Sequence, residues 1–272
     1  MIKKIIKKFL NNDEQKPVLS EGMLVRFPNL SWQEFEALKR LAALVLERSG
    51  GEVFHGPLTG LKIPPDSYLA SKPMYIVGCY EQETHEAIYD FISNPPDQFI
   101  DIGSAYGYYT TGIALQTKKT KIIGFEADKN LWIDAFKLSE FNKVSSRIDQ
   151  KGFCRVEDLK AVLGSNDALV CDCEGGELEL LNPQIIPNLL KTRILCETHD
   201  FMSPGSMATL IDRFYLTHDI QILHEAARNP MQFRVLDGLT DVEKFLAVRE
   251  TRYTGGHLTP GRYLYMKPRL AK

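Results

Sequence analysis

The stretch FIDIGSAYGYY, Phe99 to Tyr109, decides how this chain folds, and IIGFEAD at Ile122 to Asp128 completes the unit. The apolar run Phe99, Ile100, Ile102 ends in Gly103, and Gly107 opens a helix-like run through Ile113 and Leu115. A second apolar run ends on a carboxylate, Glu126, nineteen residues after Gly107. This reads as strand, glycine turn, helix and strand. A doubly wound sheet holds its ligand at the carboxyl ends of its strands, with the first glycine turn against the ligand and an acid after the second strand on ribose hydroxyls. The pattern therefore predicts a nucleoside site.

Glycine spacing narrows the ligand. Dinucleotide sites use G-x-G-x-x-G so that amides at a helix start hold a pyrophosphate. Here Asp101-x-Gly103-x-x-x-Gly107 has fewer glycines and an acid before the turn. Asp101 repels a pyrophosphate and attracts a sulfonium that carries an ammonium group, which is S-adenosylmethionine. The plainer reading is that Asp101 caps a turn that the glycines merely permit.

With 272 residues, 44% of them hydrophobic and 25% charged, the chain can bury a sizeable core. Its net charge of −2 lacks the electrostatic footprint of a nucleic-acid binder. The five cysteines form no Cys-x-x-Cys pair, so neither a disulfide framework nor a structural zinc site is indicated; buried thiols in a reducing, cytoplasmic setting are the simplest reading. The opening MIKKIIKKFL has four lysines at helical spacing with an apolar face. It is too short to span a bilayer. Docking on its own protein, or fraying, is the stronger reading than membrane contact.

Asn11 to Pro28 reads as a linker, and the capping box Ser31-Trp-Gln-Glu34 opens an amphipathic helix through Val45 that stops at Gly50-Gly51. Between Phe54 and Tyr80, frequent prolines and glycines predict short strands and turns; Glu81 to Ser93 returns to a helical pattern. Thereafter strands at 98–103, 121–126, 146–150, 168–173, 193–198 and 219–225 alternate with helices at 107–117, 129–141, 156–163, 176–190 and 204–217. Arg262 to Met266 suits a strand returning antiparallel. The expectation is an α/β fold with a doubly wound, mostly parallel, seven-stranded Rossmann-like sheet. Residues 1–95 form an N-terminal helical and irregular extension, serving as a lid or extra layer; residues 96–272 form the cofactor-binding domain, with an insertion around 228–260.

Two further strand ends carry chemistry. ALVCDCEGGE places Asp172, Glu174 and Glu177 beyond one strand, and RILCETHD places Glu197, His199 and Asp200 beyond the next. Methyl transfer requires the acceptor held in line with the leaving sulfur and, for a hydroxyl, its proton removed. His199 is the candidate base, oriented by Glu197 or Asp172. The opposing reading for His199 is a strand-end histidine bonding a carbonyl, and for Glu174 and Glu177 acids that complement a helix dipole, the better reading for Glu177. Asp172 lies in an apolar strand and needs a ligand, a metal or a basic partner. Asp172, Glu197 and His199, with Glu174, also offer ligands to a divalent metal, which nothing in the spacing demands. Tyr106, Tyr108 and Tyr109 lie at the cofactor loop, where core packing suits Tyr109 equally. Gly152 and Phe153 follow the third strand, where Phe153 could cover a base.

Taken together, GPLTGLKI, VGCYEQETHEAI, DIGSAYGYYTTGIAL, GFEAD, DCEGGELELLNP and ILCETHDF make the chain resemble the FkbM-type methyltransferases over roughly residues 54–233. That family belongs to the class I S-adenosylmethionine enzymes and often acts on hydroxyls of sugars and natural products. Its most specific motif, Asp-x-Glu-Gly-x-Glu followed by a Glu-x-His strand, is matched at Asp172, Glu174, Gly175, Glu177, Glu197 and His199. The resemblance implies cofactor contacts at Asp101, Gly103, Gly107 and Glu126; Ser104, Tyr106, Ala127, Gly152, Phe153 and Asp172 complete the expected cofactor-binding set. It implies Asp172, Glu174, Glu197 and His199 toward the acceptor. Tyr80, Glu81, His85 and Arg228 are further acceptor candidates from the flanking segments. One departure is Val170, where many relatives carry lysine. The implied acceptor is a small molecule or glycan, with a homo-oligomer open; a cofactor-binding regulator without turnover, an N-methyltransferase and a nicotinamide enzyme are the competing readings.

Overall fold

Seven strands form one sheet in which, counted along the chain, the order is third, second, first, fourth, fifth, seventh, sixth, the expected doubly wound arrangement. The computed structural model describes residues 32–250, 253–254, 257–258 and 262–269. The basic segment 1–10, the linker 11–28, Ser31 and Arg252 lie outside the described residues. The strands are β1 Gln98–Ile102, β2 Lys121–Phe125, β3 Ile148–Lys151, β4 Ala168–Cys171, β5 Arg193–Glu197, β6 His218–His224 and β7 Arg262–Pro268. All pairings are parallel except those of β7, which runs antiparallel between β5 and β6, so the sheet is mixed.

The inner strands β1, β2, β4, β5 and β7 are largely apolar and buried because both faces are covered, whereas the edge strands β3 and β6 are polar and partly exposed. Ile100, Ile102, Leu169, Cys171, Ile194, Cys196, Leu264 and Met266 pack into one core, against α6 Val156–Val162 and α8 Ser206–Phe214. Phe99, Val170, Leu195, Tyr263 and Tyr265 point the other way, into a core shared with α1 Trp32–Arg48, α2 Pro73–Val77 and α3 His85–Ser93. The period of two along each strand thus assigns Asp101, between Ile100 and Ile102, to the second face. Register then sets Asp101 beside Val170, and Val170 beside Leu195.

Two elements differ from expectation. Residues 54–80 hold a helix, α2, and a 3₁₀ turn at Leu69–Ser71 rather than short strands; only an isolated bridge joins Glu52 to Lys62. Pro73 starts α2, where its missing N–H costs nothing, and Gly78 stops it at φ 81. The helix expected at 176–190 is one turn, α7 Glu177–Leu180, followed by a 3₁₀ segment at Pro187–Lys191. Asn182-Pro183 and Pro187 interrupt it, since proline cannot continue the hydrogen-bond ladder. All five cysteines are free thiols, four of them buried. Among the described residues no helix is long and apolar enough to cross a membrane.

Candidate functional site

At the carboxyl ends of β1, β4 and β5 the sheet opens into a crevice of about 540 Å³, counting open solvent at its mouth. Its floor is the glycine turn. The amides of Gly103 and Ser104 both donate to the Phe125 carbonyl, at 2.9 and 3.0 Å, which ties the turn to the end of β2. Ala105 N donates to Glu126 Oε2 at 2.8 Å, and Glu126 Oε1 accepts from Asp128 N at 2.7 Å. The carboxylate after β2 therefore braces the turn. Gly103, at φ +85, lies so close to β4 that a Cβ would fall 1.7 Å from the Asp172 carbonyl oxygen. Gly107 caps α4 Tyr108–Gln116 in the left-handed region.

The side walls come from both halves of the chain. Asp101, Val170, Leu195 and Tyr263 rise from the sheet; Leu69, Tyr75, Tyr80 and Glu81 come from the N-terminal segment. Tyr106 lines the turn and stacks on Tyr68, with centroids 4.2 Å apart. Four carboxylates face this space: Glu81, Asp101, Asp172 and Glu197. Asp101 is 2% exposed and, among the described residues, its Oδ2 has no hydrogen-bond partner. Burial, then the charges of Asp172, Glu126 and Glu81, hold its carboxyl well above the usual carboxylate range. Glu81 accepts from the Tyr109 hydroxyl at 2.6 Å. Glu81, Ala105 and Glu174 are three of the four non-glycine residues with positive φ among the described residues, at 47°, 45° and 56°. Such conformations persist where surrounding structure enforces them and concentrate at binding sites.

His199, expected as the base, is not on the crevice wall. It is 4% exposed and lies behind Asp172. Its Nδ1 meets Glu177 Oε1 at 2.7 Å; a carboxylate only accepts, so Nδ1 carries the proton. Its Nε2 lies 3.5 Å from Asp172 Oδ1 and 3.6 Å from Glu174 Oε2. Burial pulls the imidazole down, but the Glu177 hydrogen bond and the charges of Asp172, Glu177 and Glu174 outweigh it and raise the ring above 6.5. Glu177 is thus the orienting partner, in place of Glu197 or Asp172, while it also stands in the first turn of the one-turn helix α7, where the dipole reading put it. It is 0% exposed and also accepts from Gly175 N at 3.1 Å. Its one sequence signal was its place in Asp-x-Glu-Gly-x-Glu. Glu174 is exposed and Asp200 half-buried; neither lines the crevice.

Other expected site residues lie apart. His85 Nε2 bonds the Tyr80 carbonyl at 3.1 Å, and burial pushes its ring down to about 4. Ala127, Gly152 and Phe153 are exposed on the loops after β2 and β3, Phe153 by 67%. Arg228 is consumed by structure: it donates to the Cys79 carbonyl at 2.8 Å and pairs with Glu250 at 2.5 Å and Glu83 at 3.2 Å, all three side chains buried. No acceptor contact is left to it. Burial pushes the Glu83 carboxyl up to about 7. Arg228→Met should cost roughly 3–5 kcal/mol, because it strips the counter-charge from buried carboxylates. The loss should be larger at pH 8 than at pH 6, since only the ionised Glu83 needs the guanidinium; urea midpoints at the two pH values check this.

The expected metal trio Asp172, Glu197 and His199 does not assemble. Among the described residues Asp172 instead groups with Glu174 and His199 on one side and with Glu81 and Glu197 on the other.

No family model matches this chain, and no curated protein does. Among solved structures it is similar to an O-methyltransferase from Bacillus cereus in complex with SAH, at 13% identity and TM-score 0.44, covering 85% of this chain and 90% of that one. It is also similar to the O-methyltransferase TomG from Streptomyces achromogenes, in complex with SAM, at 11% identity and TM-score 0.42 over the same shares. A third is the C-terminal domain of a precorrin-6Y C5,15-methyltransferase from Rhodobacter capsulatus, at 15% identity and TM-score 0.41, covering 68% and 88%. With TM-scores below 0.5, none of these bears on the activity of this chain.

Proposed function

We propose that the crevice binds S-adenosylmethionine and that the chain methylates a hydroxyl on a sugar, glycan or natural-product acceptor. The observation that carries this reading is Asp101: a buried carboxylate with an orphan oxygen, in a space it shares with Asp172, Glu197 and the glycine turn. A buried carboxylate with an unsatisfied oxygen is costly, and an ammonium group offsets that cost. The same acids disfavour a pyrophosphate, which weighs against a nicotinamide dinucleotide. The FkbM-type resemblance, through Asp172, Glu174, Glu177, Glu197 and His199, supports the same class of activity.

When bound, the cofactor supplies an electrophilic methyl group on a sulfonium. Asp101 holds the ammonium end, and Glu126 keeps lone pairs for ribose hydroxyls beyond its two amide bonds. Exposed Phe153 and Gly152 border the adenine side. Asp172 and Glu197 hold the acceptor hydroxyl and take its proton, a contribution of about 10²–10⁴-fold. Tyr75, Tyr80 and Leu69, from the N-terminal segment, line the same space. His199 acts on Asp172 from behind, as a positioning residue.

Glu126→Ala should weaken the cofactor about 10- to 100-fold, the worth of a lost hydrogen bond to a charged group. An unaltered dissociation constant moves the ribose site elsewhere. Turnover is tested by release of S-adenosylhomocysteine with panels of polyols and of amines. Release with polyols supports the proposal, release with amines alone indicates N-methylation, and none with either leaves a cofactor-binding regulator.

A further inference from the structure

The geometry points to a divalent-cation site made by Asp172 Oδ1, Glu174 Oε2 and His199 Nε2, on the flank of the crevice. Their donor atoms lie within 4.8 Å of one another. His199 is 4% exposed, and its Nε2 makes no hydrogen bond among the described residues; it is aimed at two carboxylate oxygens 3.5 and 3.6 Å away. These separations slightly exceed the roughly 3 Å donor spacing of an octahedral ion with bonds of about 2.1 Å. Glu174, with a side chain 74% exposed, can close its own 3.6 Å gap by rotation, and the 35% exposed Asp172 needs only a few tenths of an ångström.

Independent support comes from behind the ring. Metal-bound histidines almost always donate their other N–H to a carboxylate, which fixes the tautomer and sharpens the donor nitrogen. Glu177, wholly buried, does this to Nδ1 at 2.7 Å, and the Gly175 amide in turn holds Glu177. With Nδ1 engaged, Nε2 is left facing the two acids. A purely structural histidine would use Nε2 for a hydrogen bond, as His218 does with the Thr192 carbonyl at 3.1 Å.

One imidazole and two carboxylates suit a hard-to-borderline ion, Mn²⁺ ahead of Ca²⁺. Three protein ligands leave coordination positions for oxygen. Because Asp172 also lines the crevice, those positions adjoin the place where an acceptor hydroxyl would lie. Cation binding itself does not depend on the proposed methyl transfer.

The test is titration of the full chain with Mn²⁺, read by loss of the free-ion electron paramagnetic resonance signal. One ion per chain is expected, weakened at least about tenfold by Glu174→Gln and by His199→Gln, and about 10- to 100-fold by Glu177→Gln. Glu197→Gln should leave the affinity unchanged. Absence of binding to the unaltered chain, or binding indifferent to Glu174→Gln, overturns the site; so does binding lost only in Glu197→Gln, which would move the ion to Glu81, Asp172 and Glu197. Glu174 is exposed, so its variant tests the site even where His199→Gln misfolds. Calorimetry with S-adenosylmethionine on the same samples tells loss of the ion from loss of the cofactor site.

Discussion

Asp172→Asn should lower turnover by about 10²–10⁴-fold while leaving S-adenosylmethionine affinity within a few-fold. The substitution keeps shape and removes only the charge and the capacity to accept a proton. The backbone has no reason to move, because Asp172 N donates to the Ile102 carbonyl at 2.9 Å and continues the β1–β4 pairing past the strand end. The cofactor contacts at Asp101 and Glu126 sit on other strands. Asp172 also stands between the crevice and His199, so its loss removes the proton acceptor and disconnects the imidazole together. Turnover within threefold of the unaltered chain, measured by S-adenosylhomocysteine release, would remove Asp172 from the chemistry. A parallel collapse in cofactor affinity would instead make it a cofactor ligand.

Among the described glycines, Gly103→Ala should be the most damaging single added methyl. The position requires φ +85, which costs a side-chain-bearing residue roughly 1–3 kcal/mol, and the added carbon would lie 1.7 Å from the Asp172 carbonyl. Relief means pushing β4's end away from the turn, an overpacking cost of about 1–3 kcal/mol more. The sum, roughly 2–6 kcal/mol, falls on the elements that form the crevice floor. Both a lowered urea midpoint and lost cofactor binding are expected. Gly152→Ala is the control, since a Cβ there meets nothing within 4 Å. Equal midpoints for the two variants would show that the β1 turn tolerates a side chain.

Much of this was legible in the residues. FIDIGSAYGYY contains the strand, the turn and the buried acid, and the period of two along β1, β4 and β5 is enough to put Asp101, Val170 and Leu195 on one face. That face continues to Glu197, two residues beyond Leu195. His199 was misplaced because the alternation ends with β5: the chain turns after Glu197, and the Thr198 amide already bonds the Arg262 carbonyl. The ring then meets Glu177, from a different loop. Arg228 failed for another reason. An arginine looks available in a sequence, and its saturation by Glu83, 145 residues away, and Glu250, 22 away, depends on tertiary packing alone. The truncated helix after Glu177 was readable, since Pro183 and Pro187 forbid what the apolar spacing suggested.

A calorimetric titration of the full chain with S-adenosylmethionine, repeated with Asp101→Asn and with NAD, puts the crevice to the test. One site per chain, weakened about tenfold or more by Asp101→Asn and absent for NAD, is the expected outcome. Heat from NAD, or none from S-adenosylmethionine, would contradict the assignment.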